Sequence, residues 1–158
     1  MIYASFGTVS HGTMRNEDLI PTFVSELEYQ IKRNRDSLSE EDSSRYVSSL
    51  AEIQTFTDND ESDYDSEYAS ELVEDLFALL DEFAPPYGYF GEHPGDGSDY
   101  GFWLSEYSIE SCFDGLRVND LCEIPEDYSG EVLSCNDHGN LTLYYVDAGD
   151  CREIWSIV

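Results

Sequence analysis

Acidic side chains that lie close together in the sequence are the first residues that could form a chemical site. The stretch DNDESDYDSEYASELVEDLFALLDE, residues 58–82, holds eleven Asp or Glu among its 25 residues and no Lys or Arg. Carboxylates spaced in this way suggest a calcium loop of the EF-hand type, which requires Gly at its sixth position. A loop beginning at Asp58, Asp60 or Asp63 has Asp or Tyr there instead. The motif fails, and no calcium site is predicted.

Two other segments contain residue types that serve as ligands or catalysts. GDGSDYG, residues 95–101, has the glycines of a phosphate-binding loop, but no Lys follows and its Asp residues repel phosphate, so the sequence favours a glycine turn. NDHGN, residues 136–140, brings Asp137 and His138 together, as general acid–base catalysis requires. The same residues, with Gly139 available for positive φ, form tight hairpin turns, and the sequence favours a turn. An enzyme that depends on Asp137 or His138 is one alternative function.

The four cysteines lie far apart, at positions 112, 122, 135 and 151, and form no CxxC pair. This spacing favours reduced structural thiols over a disulfide framework. A zinc site that recruits His93 or His138 is the alternative, but the usual spacing of zinc ligands is missing. The sequence therefore predicts neither a metal site nor a cofactor.

The net charge restricts the partners that the chain can bind. Seven basic and 35 acidic residues give a formal charge of −28, which disfavours nucleic acid and anionic membranes as ligands and favours a basic partner. The charge is concentrated in residues 46–116, which hold 18 acids and no Lys or Arg. The N-terminus lacks the features of a signal peptide and no apolar run reaches 18 residues, so we expect a soluble, cytoplasmic protein.

Helices are predicted to position the acids. IYASFGTV suggests a first strand, and a helix is expected from Pro21. A second helix is expected from Ser39, with Asp42 completing its N-terminal cap. One face of this second helix is expected to contain Tyr46, Val47, Leu50 and Ile53. A third helix is predicted over about Ser66 to Phe83. Its apolar side is expected to contain Leu72, Val73, Leu76, Phe77, Leu80 and Phe83. An opposite arc of about 120° is expected to contain Glu67, Glu71, Glu74, Asp75, Asp81 and Glu82.

The sequence of the C-terminal half is typical of β-strands and turns. YGYF and YGFWL predict a hairpin with a long connection, and SIESCFDGL predicts a short helix. EVLSC, LTLYYV and CREIWSIV predict three strands separated by turn signals. Residues 1–158 are long enough for one domain with a buried core. We predict a single acidic α+β domain, with N-terminal helices packed on a C-terminal antiparallel sheet or meander.

The acidic side of the third helix suggests mimicry of a polyphosphate. Like charges four residues apart cost about 0.2–0.5 kcal/mol per pair, so the arrangement is destabilising unless a partner uses it. Acids recur about every 5–6 Å along successive turns, a spacing that a cationic groove for phosphates accepts. A solvated face or adaptation to high salt is the alternative explanation of the acidity.

Two stretches, PPYGYFGEHPGDGSDYGFWL at residues 85–104 and SGEVLSCNDHGNLTLYYVDAGDCREIWSIV at residues 129–158, resemble small acidic proteins encoded by bacteriophages, prophages and plasmids. That group includes counter-defence factors, and its anionic anti-restriction and anti-CRISPR inhibitors occupy DNA-binding channels. The resemblance implies an origin in a mobile element and action in the cytoplasm of a bacterial host. It assigns no catalytic residue to this chain.

The leading hypothesis is a non-enzymatic inhibitor that binds the cationic nucleic-acid channel of a host CRISPR effector or restriction enzyme. Its partner is a basic nucleic-acid-binding protein or ribonucleoprotein, and it binds neither nucleic acid nor membrane itself. The carboxylates expected to replace phosphate oxygens are Asp58, Asp60, Glu61, Asp63, Asp65, Glu67, Glu71, Glu74, Asp75, Asp81 and Glu82. The possible aromatic anchors are Tyr64, Tyr68, Tyr100 and Trp103.

A binding or regulatory module encoded by a phage is the alternative from another class. Such a module grips a host protein through its C-terminal sheet and aromatic loops, and its acidity serves solubility or high-salt adaptation. Under this alternative, substitution of Tyr100 or Trp103 matters and charge reversal on the third helix does not. The sequence leaves open the defence system, the oligomeric state, and whether residues 58–65 are ordered in the free protein.

Overall fold

Helices come first along the chain and an antiparallel meander comes last, which confirms the predicted α+β class. The computed structural model describes residues 2–157. The helices are α1 (Asn16–Asn34), α2 (Glu40–Thr57), α3 (Glu67–Asp81) and α4 (Glu106–Cys112). The strands are β1 (Gly7–His11), β2 (Gly88–His93), β3 (Asp96–Leu104), β4 (Leu116–Val118), β5 (Gly130–Cys135), β6 (Leu141–Asp147) and β7 (Asp150–Ile157).

The chain divides into two compact units, Met1–Leu104 and Ser105–Val158, where its length predicted one domain. The first unit contains α1 to α3 and an antiparallel sheet with strand order β1-β3-β2. The second contains α4 and a sheet with order β4-β5-β6-β7. Each unit has its own cluster of buried apolar residues, so the helices of the first unit have a sheet of their own to pack on. No helix within residues 2–157 combines the length and the apolarity needed to cross a lipid bilayer.

Phe23 of α1 lies at the centre of the core of the first unit. Its ring contacts Phe77 of α3 at a centroid distance of 5.4 Å, Phe90 of β2 at 5.3 Å and Tyr100 of β3 at 5.8 Å. Tilted and edge-on ring pairs contribute about 0.5–1.5 kcal/mol each beyond the burial of their area. α1 therefore joins α3 to the sheet through one aromatic cluster.

α3 has the amphipathic character that its sequence predicts. Leu72, Leu76 and Leu80 are at most 2% exposed, and Phe83, just beyond the helix, is fully buried. The side chain of Ser66 caps the helix by accepting a hydrogen bond from the backbone N–H of Ala69 at 3.2 Å. The carboxylates on the other side are left facing solvent.

α1 begins at Asn16, so the prediction that it begins at Pro21 was wrong. Pro21 lies in the second turn, where its missing N–H removes only the helical hydrogen bond to the carbonyl of Glu17. The last turn carries Lys32 and Arg33, whose positive charges interact favourably with the negative end of the helix dipole.

The predicted start of α2 is confirmed. Ser39 Oγ accepts a hydrogen bond from the backbone N–H of Asp42 at 3.0 Å and donates one to its carboxylate at 2.6 Å. Tyr46 and Ile53 are buried, but Val47 is 64% exposed, so its predicted place on the buried face was wrong. α2 contacts the core through Tyr46, Leu50, Ile53 and Phe56, which recur at helical spacing, and Val47 lies outside this set.

The predicted hairpin of β2 and β3 is present, with a shorter connection than expected. Only Pro94 and Gly95 join the strands, so GDGSDYG is mostly strand and the prediction of a glycine turn holds for Gly95 alone. Close packing requires the glycine at position 101, because a Cβ there would lie 2.1 Å from the carbonyl oxygen of Gly7 in β1.

The segment before β1 is held by hydrogen bonds outside any strand, and the strand predicted over IYASFGTV is limited to Gly7–His11. Asn34 is 1% exposed. Its side-chain oxygen accepts a hydrogen bond from the backbone N–H of Ile2 at 2.6 Å, and its side-chain nitrogen donates one to the carbonyl of Ile2 at 2.9 Å. The backbone N–H of Ala4 donates to the carbonyl of Phe83 at 2.8 Å. These bonds attach the start of the chain to the ends of α1 and α3.

The second unit contains the predicted short helix, α4, and the predicted antiparallel meander of β5, β6 and β7. The sequence did not predict β4, which pairs with β5 in parallel and is only three residues long. Val118, Val132 and Val146 form a buried cluster on this sheet. The guanidinium of Arg117 lies over the ring of Phe113 and donates to the carbonyl of Ile109 at 2.8 Å, which links β4 to α4.

Replacement of Asn34 by Ala should lower the free energy of unfolding by about 2 kcal/mol, because the start of the chain loses its hydrogen bonds to a buried amide. Urea denaturation followed by circular dichroism measures the change. Asn119→Ala is the matched control, since Asn119 is exposed and should change stability by less than about 0.5 kcal/mol. Equal effects of the two substitutions would contradict the role assigned to Asn34.

Candidate functional site

All eleven acids of residues 58–82 are exposed, and they fall into three sets. The linker acids precede α3 and are Asp58, Asp60, Glu61, Asp63 and Asp65. The stripe acids lie on the exposed side of α3 and are Glu67, Glu71, Glu74 and Asp75. The third set, Asp81 and Glu82, stands at the C-terminal end of α3. The structure thus brings the candidate residues to one segment of the first unit, with different surroundings in each set.

The stripe acids form a short row of unpaired charges. None of the four makes an ion pair with any residue of the described range 2–157. Glu67 and Asp75 are eight residues apart, so the row is about 12 Å long at 1.5 Å per residue. Four carboxylates over that length give one charge per about 4 Å, close to the value of about 3.4 Å for one strand of B-DNA.

The linker between α2 and α3 is ordered by hydrogen bonds. Ser62 Oγ donates to the carbonyl of Phe56 at 2.6 Å, and the Asp63 carboxylate accepts from the backbone N–H of Asp65 at 3.0 Å. The amide of Asn16 in α1 donates to the carbonyl of Tyr64 at 2.9 Å. The linker acids are therefore presented by a defined backbone next to the first turn of α3.

Asp81 and Glu82 have partners within the first unit. Asp81 accepts a hydrogen bond from the backbone N–H of Phe90 in β2 at 2.8 Å. Glu82 accepts two from the guanidinium of Arg45 in α2, at 2.6 and 2.7 Å, and one from the hydroxyl of Tyr46 at 2.8 Å. These two acids hold α3 to its neighbours, so they stand apart from the unpaired acids with which the sequence grouped them.

Arg45 and Glu82 form the strongest ion pair of this region. The guanidinium of Arg45 lowers the pKa of Glu82 below its usual value, and Glu82 in turn raises the pKa of Arg45. Burial raises the pKa of Tyr46 to about 12, with a further contribution from its hydrogen bond to Glu82. α3 has no basic residue in its last turn, so Arg45 also offsets the unfavourable position of Glu82 at the negative end of the helix dipole.

The four candidate anchors differ in how much of each ring is accessible. Tyr68 is 42% exposed, and its hydroxyl donates to Glu52 at 3.2 Å. Tyr64 is half-buried, and Trp103 is half-buried with its indole N–H donated to the carbonyl of Gly91 at 3.0 Å. Tyr100 is 4% exposed and belongs to the core, which contradicts its expected role as an anchor. Of the four, Tyr68 offers the most accessible ring.

A groove of about 230 Å³ separates α2 from α3. Buried apolar side chains form its floor, because Ile53 and Leu72 are 2% exposed and Leu79 is 7% exposed. Two small residues along it, Ser49 and Ala78, leave it open. The polar residues that line it are Arg45, Glu52, Asp75 and Glu82. Sequence reasoning did not assign a role to Arg45, Ser49 or Glu52, because their partners lie in another helix.

The other segments with chemical residue types take structural positions. In NDHGN, the backbone N–H of His138 donates to the Asn136 side chain at 2.9 Å and Gly139 has φ of 82°, so the predicted turn is confirmed. All four cysteines are free and exposed. Within residues 2–157 no group of three or more His, Cys, Asp or Glu side chains is arranged to hold a metal ion.

Comparison of the chain with family models, with curated proteins and with solved structures gives no match. The functional proposal therefore depends on the placement and charge of the residues described above. Among the described residues of the first unit, the stripe acids have no cationic partner, and one of them, Asp75, also lines the groove.

Replacement of Glu82 by Gln should lower the free energy of unfolding at neutral pH by about 1 kcal/mol, because a charged pair at a partly exposed site is lost. The pKa of Glu82 is lowered from 4.5, so the pair stabilises the fold fully above about that pH and loses its effect as the pH falls through the lower value of the folded state. Urea denaturation on both sides of this pH should show the difference between wild type and variant shrinking in acid.

Glu74→Gln is the matched control for Glu82→Gln. Glu74 is exposed on the same helix and lacks a cationic partner among the described residues, so removal of its charge relieves repulsion and should leave stability unchanged or slightly raised. A loss of stability in Glu74→Gln as large as that in Glu82→Gln would contradict the role of the Arg45 pair.

Proposed function

We propose that this chain is a phage-encoded, non-enzymatic counter-defence inhibitor that binds the cationic nucleic-acid channel of a CRISPR effector or restriction enzyme. The observation that carries the proposal is the row of stripe acids, which are exposed, unpaired with any cation of residues 2–157, and present at a mean axial density of about one charge per 4 Å, close to that of one DNA strand. The resemblance of residues 85–104 and 129–158 to acidic proteins of mobile elements led to the same hypothesis from the sequence alone.

Preorganisation makes such a surface effective. Leu72, Leu76 and Leu80 fix α3 to the core, so its carboxylates are held on a rigid helix before any partner arrives. A partner then orders few side chains and no backbone, which reduces the entropy that association costs. The linker acids extend the row on a backbone held by hydrogen bonds.

The proposed partner is a basic, nucleic-acid-binding protein or ribonucleoprotein in the cytoplasm of a bacterial host, and the net charge supports the choice of a basic partner. The net charge of −28 repels nucleic acid and anionic lipid and attracts a cleft lined by Lys and Arg. Association with such a cleft is fast at low ionic strength and weakens as salt screens both surfaces. Asp81 and Glu82 add to the negative potential of the surface, although their own hydrogen bonds serve to hold α3 in place.

The second candidate function is a binding module that uses the second unit. The observation in its favour is an apolar cavity of about 320 Å³ lined by residues that include Leu121, Ile124, Val146 and Cys151. Leu121 and Tyr145 are each 42% exposed. Under this alternative, substitution at Leu121 or Tyr145 abolishes partner binding and charge changes on α3 do not.

The reversal of Glu67, Glu71, Glu74 and Asp75 to Lys tests the proposed function. Wild-type protein immobilised at low salt should capture a basic host protein, and it should displace labelled DNA from that protein in an anisotropy measurement. The fourfold reversal should raise the concentration needed for displacement at least about 100-fold, at 1–3 kcal/mol for each lost charged contact. Circular dichroism checks that the variant is folded.

A matched variant separates local from net charge. Reversal of Glu110, Glu126, Asp127 and Glu153, all exposed in the second unit, changes the net charge by the same amount and should weaken displacement by less than about tenfold. Equal losses in the two variants would assign the effect to net charge. Captured proteins that keep their DNA at saturating inhibitor and low salt would overturn the proposal.

A further inference from the structure

The groove between α2 and α3 already holds one guanidinium at one of its ends. Arg45 is bound there by both carboxylate oxygens of Glu82 and lies over the ring of Tyr46, 4.7 Å from the ring centroid. A carboxylate that accepts two hydrogen bonds and an aromatic face that accepts the cation are the groups that arginine uses best. This end of the groove therefore shows that its wall residues can bind a guanidinium group.

The other end of the groove has the same kinds of group. Glu52 and Asp75 line it, and the 42%-exposed ring of Tyr68 stands beside Glu52, to which its hydroxyl donates at 3.2 Å. Burial raises the pKa of Tyr68, and its hydrogen bond to Glu52 and the negative charges of Glu52, Asp75 and Glu71 raise it further. Residues 46–116 contain no Lys or Arg to occupy this end.

The floor of the groove suits an aliphatic stem. Ile53, Leu72 and Leu79 present buried apolar side chains along it, and Ser49 and Ala78 leave space above them. The three methylenes of an arginine side chain can lie on this floor while its head reaches the acids. A phosphate mimic made of charge alone has no need of such a floor.

We propose that the open end of the groove, between Glu52, Asp75 and Tyr68, binds an arginine side chain of the basic partner. The inference rests on the proposed function and adds to it a residue-specific contact beside the stripe. Arginine is favoured over lysine because its planar head pairs with carboxylates in two places, stacks on tyrosine and sheds water more readily. Two copies of this chain repel each other at a net charge of −28 each, which favours a basic partner over a second copy as the occupant.

Hexa-arginine and hexa-lysine peptides, which carry equal charge, test the inference by calorimetric titration at one fixed salt concentration. Wild-type protein should bind hexa-arginine about three- to fivefold more tightly than hexa-lysine. Ala78→Leu fills the groove without a change in charge and should abolish this preference while it leaves the affinity for hexa-lysine unchanged. Ser49→Leu fills the groove from the α2 side and should do the same if Ala78→Leu fails to fold.

Ala51→Leu is the matched control, because Ala51 is exposed on α2 and does not line the groove. This variant should keep the preference for hexa-arginine over hexa-lysine. Leucine methyl resonances of wild-type protein provide a measurement without substitution: those of Leu72 and Leu79 should shift with hexa-arginine and not with hexa-lysine. Equal affinity for the two peptides, a preference that survives both groove-filling variants, or unmoved methyl resonances would each overturn the inference.

The two proposals fail in different ways. Equal affinity of wild-type protein for hexa-arginine and hexa-lysine, with its displacement of DNA intact, overturns the groove site and leaves the proposed inhibitor function standing. Reversal of Glu67 and Glu74, which do not line the groove, should weaken both peptides alike and leave their ratio unchanged.

Discussion

Burial of the apolar side of α3 is the interaction on which the rest of the structure depends. Each fully buried leucine or phenylalanine contributes about 1.5–3 kcal/mol, and Leu72, Leu76, Leu80 and Phe83 are all buried. Each pair of like charges four residues apart costs about 0.2–0.5 kcal/mol. The burial outweighs the repulsion several times, so α3 can carry an unbalanced row of carboxylates and still be a stable helix.

The acids of residues 58–82 have two kinds of surroundings, which the structure separates. Asp81 and Glu82 bind groups of neighbouring elements, the backbone of Phe90 and the guanidinium of Arg45, and so fix the end of α3. The stripe acids have no cationic partner among the described residues and face outwards. Acids that bind neighbouring elements and acids without a cationic partner thus follow one another along a single segment. The groove between α2 and α3 is lined by one acid of each kind, Asp75 without a cationic partner and Glu82 bound to Arg45.

Local pattern was enough to predict α3, the cap at Ser39, the hairpin turn at NDHGN and the final meander, because each depends on residues close in sequence. The Arg45–Glu82 pair joins positions 37 apart, and neither residue has a signal of its own. The groove follows from the placement of two helices, and so do the exposure of Val47 and the burial of Tyr100. Apolar and acidic side chains could be assigned to faces, but which acids find internal partners depends on tertiary contacts.

Carboxyl footprinting of the free and bound protein tests the central claim most directly. A carbodiimide and a small amine label exposed carboxylates, and mass spectrometry reports the labelling of each one. In complex with a captured basic protein, we predict strong protection of Glu67, Glu71, Glu74 and Asp75 and unchanged labelling of Glu110 and Glu153. Stripe carboxylates that stay as reactive in the complex as in the free protein, while carboxylates of the second unit become protected, would contradict the account.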